Sequence, residues 1–119
     1  MDIFTAIKRN DTASLAEYIK SGANLNIKDQ HGMTPLLVAV DYQSVPIIQL
    51  LLKARASVDE VDKYGQTALM LAAGRGNIQI VKILLAFHAN TKLISKSRAT
   101  AYDFAAENGH QEIAALLKK

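Results

Sequence analysis

The chain has 119 residues, half of them hydrophobic and about a fifth charged, which suffices for one extended core and is too apolar for a disordered segment. It contains no cysteine, so disulfides, thiolate metal sites and cysteine nucleophiles are excluded. Its 14 basic and 11 acidic side chains give a net charge of +3 without a basic block, and no apolar run approaches a bilayer span. A single domain over 1–119 is expected, cytoplasmic or otherwise intracellular, monomeric, with no membrane segment.

In chain order, the first feature is a helix around Ala6, and the same residue returns at Ala39, Ala72 and Ala105. The spacing is 33 residues, and it also aligns Ala23, Ala56 and Ala89, and Thr34, Thr67 and Thr100. A unit this short cannot bury its apolar face alone, so the period predicts stacked units sharing one continuous core. The units run 1–28, 29–61, 62–94 and 95–119. The first and last read as caps, because Glu17 stands in the column of Leu50 and Ile83, and Lys118 in that of Leu52 and Leu85. On that basis the chain is expected to be complete.

Each unit reads as two short helices. The first opens at its threonine, a side chain that accepts hydrogen bonds from the free N–H groups of a first turn, with Pro35 suited to the first helical position. The second opens at Asp11, Ser44, Asn77 or His110, of which three are favoured N-caps. Leu15, Tyr18 and Ile19 then recur at helical spacing as Ile48, Leu51 and Leu52, as Val81, Leu84 and Leu85, and finally as Leu117. The alanine column allows the first helices to approach closely.

Between units, Asp29-Gln30-His31-Gly32 and Asp62-Lys63-Tyr64-Gly65 carry an aspartate that can hold backbone N–H groups and a glycine able to take positive φ. Protruding hairpins are predicted. In the fourth unit Ser95-Lys96-Ser97-Arg98 replaces the pattern, so that tip is expected to be irregular and mobile.

Asp-x-x-Gly-x-Thr-Pro-Leu, then alanine, then Leu-Leu, then Gly-Ala at this period resembles the ankyrin repeat, over essentially the whole chain. The resemblance implies an all-α solenoid of four helix-turn-helix repeats with projecting hairpin tips. It also exposes departures. The histidine usual after Thr-Pro-Leu is replaced by Leu37, Met70 and Asp103, so packing must substitute for a polar network. The glycine ending the second helix survives as Gly22 but becomes Arg55 and His88. The 62–94 unit, best in its pattern, is expected to be the most stable.

Little points to catalysis. His31, His88 and His110 lack metal-ligand spacing, no serine shows a nucleophile elbow, and Asp59, Glu60 and Asp62 read as a solvated edge. Gly74-Arg75-Gly76-Asn77 lacks the preceding strand and the lysine of a phosphate loop. No cofactor is called for. The resemblance implies instead binding of a partner protein by a concave strip of tips and first helices, as adaptor or inhibitor. Its residues would be Lys8 and Arg9; Gln30, His31, Met33, Asp41 and Tyr42; Lys63, Tyr64, Gln66 and Arg75; and Lys96, Ser97 and Glu107. Tyr42, Tyr64, Met33 and Arg75 are the expected anchors, the first three as neighbours. The competing reading is binding of nucleic acid or another anionic surface by Lys8, Arg9, Lys63, Arg75 and Lys96.

Overall fold

The computed structural model describes residues 2–118, and among them are eight helices and no strand. They are α1 (Ile3–Lys8), α2 (Thr12–Lys20), α3 (Pro35–Asp41), α4 (Val45–Lys53), α5 (Ala68–Arg75), α6 (Ile78–Ala86), α7 (Ala101–Glu107) and α8 (Gln111–Leu117). None exceeds nine residues, well short of the length at which a helix persists alone in water. Packing therefore holds them.

The local starts follow the chemistry of the threonine column. Thr34, Thr67 and Thr100 are extended N-caps whose side chains accept from the N–H groups of Leu37, Met70 and Asp103. Pro35 fills the first position of α3, where its missing N–H leaves no gap. At the second helices, Asp11 and Asn77 cap as expected, accepting from Ser14 and Ile80. Bonds from the Thr5 and Ser14 backbone N–H groups hold the Asp2 and Asp11 carboxyls below the usual carboxylate range. Ser44 and His110 make no side-chain capping bond, which corrects the expectation for Ser44. Their side chains reach across to the preceding unit instead.

The pairs α1–α2, α3–α4, α5–α6 and α7–α8 stack so that the first helices form one row, α1 on α3 on α5 on α7. Ala6, Ala39, Ala72 and Ala105 lie buried in that row, where a larger side chain would push the helices apart. Behind them Leu15, Ile47, Ile48, Leu51, Ile80, Val81 and Leu84 are sealed from water in one continuous core. Each pair extends this core lengthwise, so the body measures 40 × 25 × 21 Å. Leu37 and Met70 are buried too, and apolar packing occupies the slot of the absent histidine.

Three columns of the repeat take positive φ. The inter-helix turn does so at Asn10, Gln43, Gly76 and Gly109, the end of the second helix at Gly22, Arg55 and His88, and the hairpin tip at Gly32, Gly65 and Arg98. The tips explain which glycines are kept. A Cβ on Gly65 would meet the Lys96 nitrogen at 3.0 Å, and one on Gly32 the Lys63 nitrogen at 3.3 Å, because each tip abuts the next. No tip follows Arg98 among the described residues, and a side chain fits there. At Gly22 nothing lies within 4 Å of an added Cβ, and in the same column Arg55 and His88 hold positive φ with exposed side chains.

The fourth tip is regular, contrary to expectation. Ser95 N–H donates to the Ala99 carbonyl at 2.9 Å and Arg98 N–H to the Ser95 carbonyl at 2.9 Å, the same pair of bonds that closes the Asp29 and Asp62 turns. Ser95 Oγ takes the aspartate's place by accepting from Ala99 N–H at 3.3 Å, with the Ser97 hydroxyl 2.8 Å away. A hydroxyl suffices here because the required acceptor is one short-reach oxygen, not a charge.

Candidate functional site

In the second and third tips, aspartate organises the loop. Asp29 Oδ1 accepts from His31 and Met33 N–H at 2.8 and 2.9 Å, and Asp62 Oδ1 from Tyr64 and Gln66 N–H, both at 2.9 Å. These are three-residue loops in which a turn is followed by a left-handed residue, and they push the two residues between aspartate and glycine outward. Gln30, His31, Lys63, Tyr64, Lys96 and Ser97 are accordingly exposed. Met33 and Gln66, one step after the glycine, are half-buried, and Met33 packs against the core.

Tyr64 is 58% exposed, more than any other large hydrophobic side chain among the described residues, with the Lys63 ammonium 5.3 Å from its ring centre. That separation is within the range of a cation–π contact. The backbone beneath is fixed as well, because Lys96 N–H donates to the Tyr64 carbonyl at 3.0 Å. Third and fourth tips form one platform.

The remaining candidates lie elsewhere. Lys8, Asp41, Arg75 and Glu107 are the last residues of the first helices, and Arg9 and Tyr42 the caps that follow. Helix α3 separates Tyr42 from Met33, and its seven residues at 1.5 Å rise put about 10 Å between those ends. Tyr42 is therefore no neighbour of Met33, and the expected anchor cluster divides into a tip row and a row along the inter-helix turns. Lys8 bridges them in the first repeat: it lines one shallow depression with Gln30 and His31 and another with Tyr42.

The turn row is laced by its own side chains. Arg75 pairs with Asp41 of the preceding repeat, Asn77 donates to Gln43 at 2.9 Å, Ser44 donates to Asn10, and Asn108 donates to the Gly74 carbonyl at 3.0 Å. His110 Nε2 stands 3.1 Å from that same carbonyl. Arg75 and Asp41 thus neutralise each other in a pair open enough to be worth at most about 1 kcal/mol. Tyr42, 52% exposed, is the free aromatic of this row.

Sequence reading missed two side chains of the floor between the rows. Leu71 and Phe104 occupy one column of the first-helix row, half-buried, and Leu71 shares its helix face with exposed Arg75 four residues on. Their column runs Thr5, Val38, Leu71 and Phe104, apolar in three of the four units and buried at Val38, so in the sequence it reads as core and gives no sign of an open floor. Among the described residues no three His, Asp or Glu side chains gather as a metal site would require, and no helix is long and apolar enough to cross a membrane.

The family described as ankyrin repeats (3 copies) matches residues 3–92 and again 55–119. The chain belongs to the ankyrin-repeat family. No curated protein matches it as a relative. Ankyrin repeats are in general protein–protein interaction modules, typically without catalytic function. Within this ankyrin chain, the tips and the first-helix row are the continuous surface that all four repeats build, whereas the second helices bury the leucine rows.

Proposed function

We propose that the chain is a non-catalytic binding module, its repeats 1–28, 29–61, 62–94 and 95–119 acting as one unit. It takes a partner protein across the tip row and the first-helix floor, as adaptor or inhibitor. It works inside the cell, as a monomer, without a cofactor. The observation that carries this reading is Tyr64: a large ring, over half exposed, on a backbone pinned from both sides and with a lysine at its face. Ordering such a group on binding costs little entropy, and aromatic side chains of this kind dominate interface energies. Leu71 and Phe104 supply apolar area on the first-helix floor, Phe104 against Gly74.

Nucleic acid or another extended anion is the weaker reading. Of the five cations it needs, Arg75 is paired with Asp41, and Lys8 and Arg9 stand two repeats from Lys63 and three from Lys96. A test is to immobilise the intact protein, Tyr64→Ala and Tyr42→Ala, and quantify proteins retained from cell extract. Tyr64→Ala is expected to reduce retention by roughly ten-fold or more, the loss of one anchor. Equal retention by all three would overturn the assignment of the surface.

A further inference from the structure

The tips differ in charge in a graded way. Residues 29–33 carry Asp29 alone, for −1; residues 62–66 carry Asp62 and Lys63, for 0; residues 95–99 carry Lys96 and Arg98, for +2. Two replacements already described produce the gradient. Ser95 performs the turn-closing role of aspartate without its charge, and Arg98 occupies the tip position that glycine must hold in the other units. The acids nearest in sequence are engaged locally, Asp62 by two backbone N–H groups and Asp103 by the Thr100 N–H at 2.9 Å. Lys96 and Arg98 are exposed, and the Lys96 backbone is bonded to Tyr64, the aromatic of the adjoining tip.

We infer that the third and fourth tips bind a short acidic segment of a partner protein, its carboxylates against Lys63, Lys96 and Arg98 and an apolar side chain on Tyr64. The inference rests on the tip row being the binding surface. Charge complementarity selects the occupant. Arginine and lysine fixed beside an aromatic favour carboxylates alternating with apolar groups, and desolvation at the ring strengthens the pairing. The gradient selects its length. A long polyanion following the row would leave the cations of the third and fourth tips for a second tip that has no lysine or arginine among residues 29–33, whereas a short acidic peptide is satisfied within two tips.

The test uses the whole chain and three labelled probes followed by fluorescence anisotropy: a short peptide alternating glutamate and leucine, its glutamine–leucine counterpart, and a short oligothymidylate. The protein variants are Tyr64→Ala and the double variant Lys96→Gln/Arg98→Gly. The latter removes both charges and relieves the positive φ at 98, so a folding defect is not its consequence. The glutamate peptide is expected to bind roughly ten-fold more tightly than either other probe and to lose that margin in the double variant, and its affinity should fall as salt rises. If both peptides bind alike and only Tyr64→Ala weakens them, the acidic partner is wrong and the tip surface stands. Oligothymidylate binding as tightly as the glutamate peptide would make this a general anion surface and overturn the inference. No response of any probe to either variant would overturn the inference and the surface together.

Discussion

Arg55 and His88 hold φ at 72° and 68° on an exposed turn, in the conformation that Gly22 adopts in the first repeat. A side chain in that region costs about 1–2 kcal/mol, while glycine gives back part of this through the freedom it adds to the unfolded chain. Arg55→Gly and His88→Gly are each expected to raise stability by about 0.5–1 kcal/mol, seen as a higher denaturant midpoint at unchanged slope. An unchanged midpoint in both would mean that the turn gains from its side chains what it loses in strain. This conformation was legible in the sequence because a repeat column places Arg55 and His88 under a glycine. At Asn10 and Gln43, φ 55° in each, it was not, since the column begins with two amides and its glycines appear only at Gly76 and Gly109. The tip at Arg98 was misjudged for a related reason: the aspartate–glycine signature is missing there, but the hydrogen bonds it signifies are made by other atoms.

At the scale of elements, the same backbone angle has the opposite consequence where the next unit leans on it. Gly76 ends α5 at φ 80°, and a Cβ there would lie 2.5 Å from the His110 ring, itself 3.1 Å from the Gly74 carbonyl. Gly76→Ala should therefore cost about 1–3 kcal/mol, combining positive-φ strain with displacement of the ring that ties α7–α8 to α5–α6. Urea denaturation followed by circular dichroism reads this, and a loss no larger than for Gly109→Ala, where nothing lies within 4 Å, would show that the histidine contact carries no energy. The helices themselves were legible, since threonine, proline and the leucine rows act within one turn of where they stand. The lacing of adjacent turns by Ser44, Asn77, Asn108 and His110 was not. Those bonds join residues 34 or 36 apart, and single polar side chains do not reveal which neighbour they will reach.

Over the whole molecule, stability should follow the one-dimensional order of the stack. The second and third repeats are covered on both sides, but the second carries strained Gln43 and uncapped Ser44 where the third has Gly76 and capped Asn77. Amide hydrogen exchange is expected to be slowest in α5 and α6, faster in α3 and α4, and fastest in α1–α2 and α7–α8. Uniform protection would mean that the stack opens only as a unit. The architecture was legible from the period alone, but the division of the candidate site into two rows was not: periodicity says which residues share a column, and the length of α3 decides how far apart two columns lie.

The bond from Lys96 N–H to the Tyr64 carbonyl crosses from the last repeat to the one before it. It makes the fourth repeat a thermodynamic partner in whatever Tyr64 binds. When α7 and α8 open, the platform loses one of its fixed points, and a ligand held there must in turn resist that opening by its own binding free energy. Occupancy of the third tip and order at the far end of the chain are then two readings of a single equilibrium.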